Sequence, residues 1–418
     1  MDMTNGERTR WQILALLSVA ELLGMSLWFA ASAVSAQIAQ QWILDSSQVG
    51  WLATSVQLGF VVGTATVATL NIADIVPSRR LFTFSALLGA AANLSLLFAP
   101  SFAMVLAGRF ATGFFLAGVY PPAMKMISTW FVSQRGLAIG SIVGALTIGK
   151  ATPYLVHALS STELDVGTVI ICVSAFAVVS ALLVLFGYRD GPHAFIPRPF
   201  SWSLAGTVIR TPRWRLATGS YLGHMFELYA FWAWIGAYLA HSITASGKGS
   251  ASEQSLALMT FATIAIGGVG CVWGGLFADR RGREKLVKLA LTVSGACCVA
   301  SAFLFGQRQE LVLALALVWG IFVIADSAQF SALVTESVES HAVGTALTLQ
   351  TSLGFLLTML PMQLVPKLAS AFGWTWAMIF LGLGPMAGIW AIGRLRSAQA
   401  TALPQRPQRP QNDIDRSA

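Results

Sequence analysis

The stretch that decides the reading is YLGHMFELYAFWAWIGAY, residues 221–238. It is apolar and aromatic, holds no proline, and is long enough to cross a bilayer as a helix. Near its middle sits one acid, Glu227. An earlier run, SVAELLGMSLWFAASAV, has the same design around Glu21. In both runs a tryptophan follows seven residues after the acid, at Trp28 and Trp234. The acids lie 206 positions apart in a chain of 418, close to half its length, which points to a duplicated half. An acid within hydrocarbon is costly and is a functional candidate by default.

Composition extends this reading to the whole chain. Hydrophobic residues make up 56% and charged residues 11%, where a soluble domain is about 25% charged. An ordinary cytosolic enzyme is therefore excluded, and an all-α polytopic membrane protein is expected. Twelve apolar runs of spanning length occur, near 11–35, 48–70, 81–99, 102–127, 137–159, 167–187, 215–240, 255–278, 286–305, 311–333, 342–366 and 372–392. We number them spans 1 to 12. They divide the chain into an N-terminal six-helix half (1–187), a linker (188–214), a C-terminal six-helix half (215–396) and a tail (397–418).

The net charge of +8 does not imply a nucleic-acid partner, because Lys and Arg cluster in short loops. With the N-terminus inside, 18 of them fall in inner segments and three, Lys248, Arg308 and Lys367, in outer ones. That asymmetry places both termini in the cytoplasm of a cell whose inner membrane holds the protein. The apolar N-terminal run is too long for a signal-peptide core, so no cleavage is expected. The linker carries Pro192, Pro197, Pro199 and Pro212 with Arg189, Arg198, Arg210 and Arg213, and cannot be one continuous helix. The tail, TALPQRPQRPQNDIDRSA, reads as disordered. The four cysteines, Cys172, Cys271, Cys297 and Cys298, lie in apolar runs and read as small buried hydrophobes without a disulfide.

After span 8 the chain reads GGLFADRRGREK. Gly275, Asp279, Arg280, Gly282 and Arg283 fit the pattern Gly-x-x-x-Asp-Arg-x-Gly-Arg. Gly275 permits close helix packing and Gly282 a tight turn. Asp279 can face the positive N-terminus of a neighbouring helix, a contact able to latch one conformation. The pattern resembles the signature loop of the major facilitator superfamily. The first-half copy, ATLNIADIVPSRRL, keeps Asp74, Arg79 and Arg80 but has Leu70 and Pro77 where the glycines belong. The resemblance implies two pseudo-symmetric six-helix bundles, with spans 1, 4, 7 and 10 lining a central cavity.

Those spans hold Glu21, Arg109, Glu227 and Asp326. Arg109 with Gly113 resembles the family's Arg-x-x-x-Gly motif of span 4, and a pairing with Glu21 is open. Span 5 carries Gly136, Gly140, Gly144 and Gly149, and span 8 Gly267, Gly268, Gly270, Gly274 and Gly275, as a close helix–helix seam requires. The family's antiporter signature ends span 5 in Gly-Pro. Here Lys150 follows Gly149, so that label is weakened. Lys150 is either an anchor for an anionic substrate or a structural partner for an acid. Asp326, Ser327 and Gln329 put three polar side chains in one turn, which should face a cavity. His224 stands three residues before Glu227 on the same helix face. Glu21, Arg109, Lys150, His224, Glu227 and Asp326 are thus candidates for substrate or proton, with Trp28, Tyr229, Trp234 and Gln329 as cavity lining. Gln57 and Gln350 read as helix–helix hydrogen bonders.

No HExxH, GxSxG or Walker loop and no metal-ligand spacing occurs, so neither an enzyme, a cofactor nor direct use of ATP is expected. The expected function is secondary transport by a monomer of a small organic anion or polar metabolite, proton-coupled, by alternating access. Within the superfamily the chain is diffusely similar to bacterial organic-anion-, cyanate- and nitrate-type porters; nitrate itself is disfavoured, since the arginines of spans 2 and 8 and the Asn of span 5 in nitrate porters are missing. Proton-driven efflux of amphipathic or cationic drugs and a non-transporting membrane sensor are the alternatives.

Overall fold

The computed structural model describes residues 3–160, 166–193, 200–247, 249 and 251–402. The tail beyond 402, Lys248, and Pro197, Arg198 and Pro199 of the linker lie outside the described residues.

All regular structure among the described residues is helical. Span 1 is Met3–Met25 with Ala30–Ala33, span 2 Ser46–Thr69, span 3 Ser78–Leu94, and span 4 Phe102–Leu116 with Tyr120–Ser128. Span 5 is Arg135–Leu159, span 6 Val166–Gly187 and span 7 Pro212–Ala245. Span 8 is Glu253–Ala265 with Gly267–Arg281, span 9 Arg283–Leu304, and span 10 Gln309–Phe322 with Ser327–Thr335. Span 11 is Val343–Phe372, and span 12 is Trp374–Leu381 with Leu383–Ala402. Ten of these are long and apolar enough to cross a membrane by length and composition alone. The other two are spans 1 and 7, the ones that hold Glu21 and Glu227.

Local chemistry sets the ends. Asp45 and Gln48 form a reciprocal capping box at the start of span 2, and Ser101 and Ser252 cap spans 4 and 8. Gly282, at φ +95°, turns the chain from span 8 into span 9, a conformation that other residues rarely adopt. The linker is not one helix: Trp202–Arg210 ends at Thr211, and Pro212 opens span 7 at its first turn.

Spans 1–6 pack on one another, with span 1 against spans 5 and 6, span 2 against span 4, and span 3 against spans 4 and 6. In the second half, span 7 packs against spans 11 and 12, and span 9 against span 12. The halves meet along two seams, span 5 on span 8 and span 2 on span 11. The first is a glycine seam. A Cβ on Gly140 would stand 2.7 Å from the Cys271 carbonyl oxygen, and one on Gly144 2.9 Å from that of Gly268. The second is polar. Gln57 Nε2 donates to Thr358 Oγ1 at 2.7 Å, and Gln363 Nε2 to Thr54 Oγ1 at 2.9 Å. The expected role of Gln57 between helices is thus met.

Three spans are interrupted by a turn several residues long: span 1 at 26–29, span 4 at 117–119 and span 10 at 323–326. A break inside a bilayer frees backbone carbonyls that no water can reach, so something in the protein must satisfy them. For span 1 that group is Arg109. Its guanidinium is fully buried and donates to the Leu27 carbonyl at 3.0 Å, the Leu52 carbonyl at 3.4 Å, Asn93 Oδ1 at 3.2 Å, and the Trp28 carbonyl. Asn93 is in turn fixed by Ser174 Oγ at 3.0 Å. Replacing Arg109 with Met should remove the donor to the Trp28 carbonyl and to Asn93 Oδ1 and destabilise the protein by at least about 3 kcal/mol, read as a lower melting temperature of the purified protein in detergent.

Candidate functional site

Between the halves lies a cavity of about 680 Å³ of empty space, counted with its open mouth. Its lining is unusually aromatic: Trp28, Phe60, Tyr120, Tyr221, Tyr229, Trp232 and Phe355. Ser327, Ser331, Gln350 and Thr351 add polar surface, and Lys150 is the charged residue of the lining. The rings interlock: Phe60 and Phe355 have centroids 4.6 Å apart, Tyr229 and Trp232 5.2 Å, and Trp28 and Phe60 5.1 Å.

Lys150 sits within this box. Its Nζ donates to the Tyr229 hydroxyl at 2.6 Å and stands 3.8 Å from the Trp28 ring centroid, 4.5 Å from Tyr229 and 5.0 Å from Trp232. The π faces and one phenol oxygen replace water around the ammonium. Among the described residues no carboxylate oxygen comes within 4 Å of it. Gly149, next to it, touches span 1: a Cβ there would collide with the Leu22 backbone. That contact brings Lys150 close enough to Glu21 for the two charges to interact. Glu21 is fully buried, and neither of its oxygens has a hydrogen-bond partner.

Arg109 and Glu21 do not pair. Arg109 is held at the level of residues 27 and 28, about 10 Å along the helix from Glu21 at 1.5 Å per residue. The sequence alone left this open because it could not reveal the break in span 1 that claims the guanidinium.

Glu227 is not at the cavity surface. Its carboxylate points into the C-terminal half and accepts from Trp319 Nε1 at 2.7 Å, Ser294 Oγ at 2.9 Å and Cys298 Sγ at 3.3 Å. Cys298 is therefore a hydrogen-bonding partner as well as a small buried residue. His224 and Asp326 lie one layer behind the wall, both buried, with Nδ1 and Oδ1 3.0 Å apart. The four acids and bases of spans 1, 4, 7 and 10 are all internal, but they form separate nodes and border no single hollow. The cavity wall is instead built from the aromatic residues beside them.

Trp28 and Tyr229 line the cavity as expected; Trp234 and Gln329 do not. Trp234 Nε1 donates to the Met362 carbonyl at 2.8 Å and closes the packing between spans 7 and 11. Gln329 is buried away from the opening. Gln350 lines the cavity and has an unpartnered Oε1, rather than bridging helices. Phe60 and Phe355 had no sequence signal, since a Phe in an apolar helix is ordinary. Trp232 and Tyr120 had only their aromatic character.

At the loop ends, the Asp279 carboxylate lies on Gly136, the second residue of span 5, where any Cβ would collide with it. A carboxylate there faces the positive end of that helix. A Cβ on Gly275 would strike the Gly136 carbonyl. Arg283 pairs with Glu336 of span 10, and Arg280 is exposed. Asp74 binds Lys125 of span 4 at 3.3 Å, a partner that the sequence reading missed.

Comparison with known proteins agrees with this architecture. A model of the Major Facilitator Superfamily matches residues 16–362. The "Uncharacterized transporter YgaY" of Escherichia coli O157:H7 is 26% identical over 208 residues, covering 48% of this chain and 52% of that protein. The "Putative uncharacterized transporter YgaY" of Escherichia coli strain K12 is 28% identical over 139 residues, covering 33% and 34%. The chain thus spans about half or less of the length of the curated relatives it matches. The crystal structure of a point mutant of the nucleoside transporter NupG superposes with a TM-score of 0.69 over 92% of this chain and 99% of that one, at 14% identity. That likeness concerns the fold alone. With the family model matched across most of its length and twelve spans in this arrangement, the chain belongs to the major facilitator superfamily.

Proposed function

We propose that the protein is a secondary transporter of a small organic anion bearing an aromatic ring, carried together with a proton. The observation that supports this is Lys150: a buried ammonium in the wall of an aromatic cavity, with no carboxylate within 4 Å among the described residues. A substrate carboxylate would supply the missing counter-charge, and its ring would stack among Trp28, Tyr229 and Trp232.

Glu21 gives the reading its coupling. When Glu21 is ionised it competes for the charge of Lys150. When it is protonated, Lys150 is left for the substrate. Proton and anion therefore bind together, which is the logic of a symporter. Access alternates as residues 1–187 and 215–396 rock about the two seams, joined by the 188–214 linker. The loop contacts of Asp279, Gly275, Gly282 and Arg283, and of Asp74, act as latches on one face. The excess of Lys and Arg in the segments on that face supports cytoplasmic termini in the bacterial inner membrane. The transporting unit is a monomer, with no nucleic-acid partner.

Efflux of cationic compounds is the second reading, favoured by the unpartnered oxygens of Glu21. Two variants separate them. Lys150→Gln should weaken binding of benzoate roughly tenfold to a hundredfold, as expected for losing a charged hydrogen bond, measured by thermal shift of the purified protein. If benzoate stabilises neither protein while a hydrophobic cation does, the anion reading fails. Glu21→Gln should bind benzoate but take it up into proteoliposomes at a rate that no longer rises with external acidity. A pH dependence equal to that of the unaltered protein would remove Glu21 from the coupling.

A further inference from the structure

We infer that His224 and Asp326 form a second proton-binding site, in the other half of the molecule from Glu21 and outside the substrate cavity. Its transport consequence rests on the proton-coupled reading above; its existence does not.

Asp326 ends the turn that interrupts span 10 and opens the helix Ser327–Thr335, yet its side chain caps nothing. It is 1% exposed, and neither oxygen has a hydrogen-bond partner. His224 of span 7 is equally buried, and its Nε2 is unpartnered too. The Nδ1–Oδ1 separation of 3.0 Å is an ion-pair distance. The two are therefore adjacent without being locked into a hydrogen bond, as Glu227 is.

The groups around the pair are few. Glu227 lies one turn on along span 7, within electrostatic reach of His224 and tied up by Trp319, Ser294 and Cys298. The Cys271 thiol of span 8 lies near Asp326 and points at the Ile324 carbonyl at 3.8 Å. Tyr221 stacks on His224, and Phe330 covers it from span 10. No Lys or Arg among the described residues pairs with either.

Charge balance follows. With one proton between them the pair is neutral, as imidazolium and carboxylate or as imidazole and carboxylic acid. Without that proton, a carboxylate stands unpaired in the bilayer interior, which is expensive. The pair therefore keeps its proton while the surroundings stay dry. Ile324 and Ser327, flanking Asp326, and Tyr221 and Met225, flanking His224, line the cavity wall. Movement of spans 7 and 10 that wets this wall would solvate the carboxylate and let the proton go. Proton release is thereby tied to the interruption of span 10 at 323–326.

The test is pH-difference infrared spectroscopy of the full chain in lipid. The shared proton should appear either as a carboxylic-acid band of Asp326 or as an imidazolium band of His224; that band should vanish in Asp326→Asn, shift in Asp326→Glu, persist in Glu21→Gln, and be altered or lost in His224→Gln. A spectrum unchanged by Asp326→Asn overturns the inference. If that variant does not fold, the Asp326→Glu and His224→Gln spectra decide, and their identity with the unaltered protein overturns it equally. In proteoliposomes at zero membrane potential, with benzoate as the probe, the accumulation ratio at a pH difference of one unit should fall about tenfold in Asp326→Asn, the factor that one proton contributes. An unchanged ratio in a folded, transporting variant counts against it. If the unaltered protein does not move benzoate at all, the proposed function falls while the infrared result still decides the site.

Discussion

A charged or polar group within a bilayer has no water to solvate it, and this structure is organised by how each such group is satisfied. Arg109 is satisfied mainly by backbone: two carbonyls where span 1 unwinds, one carbonyl of span 2 and the Asn93 side chain converge on its guanidinium. Glu227 is satisfied by side chains, accepting from an indole, a hydroxyl and a thiol. Lys150 is satisfied by π faces and one phenol. Glu21 and Asp326 accept no hydrogen bond, and Asp326 has only the ion-pair contact with His224. The first two are static nodes whose partners would all have to move at once. Groups with nothing holding them are the ones whose charge can change during a cycle.

The two halves differ along this line. Glu21 and Glu227 occupy matching places in spans 1 and 7, but span 1 is broken beyond its acid and span 7 runs unbroken from Pro212 to Ala245. In the second half the break lies in span 10, beside Asp326. Each half thus combines one tightly held ionisable group with one loosely held one, and the pairings are exchanged between spans. Pseudo-symmetry of the backbone did not require symmetry of the chemistry.

The two seams between the halves differ in the same practical way. Span 5 meets span 8 through glycines, where backbone touches backbone and the surfaces can slide or tilt with little side-chain rearrangement. Span 2 meets span 11 through amide–hydroxyl hydrogen bonds, which must break for the helices to part. The Asp279 carboxylate on the first turn of span 5 adds an electrostatic contact at the end of the glycine seam.

The order of the twelve spans, most of their ends, the glycine seam and the Asp279 loop were legible in the sequence, although span 1 begins eight residues earlier than expected and spans 11 and 12 end six and ten residues later. Hydropathy, small-residue spacing and turn chemistry are local properties, and each acts over a few neighbouring residues. Burial of every candidate charge was legible too, because the surrounding runs admit no other placement. Tertiary structure alone decided which way each charge points. Glu227 and Lys150 are both single ionisable residues in apolar helices, and nothing in their neighbours says that one faces Trp319 and the other the cavity. That outcome depends on helix rotation and on a break in span 1, both set by packing between segments far apart in the chain.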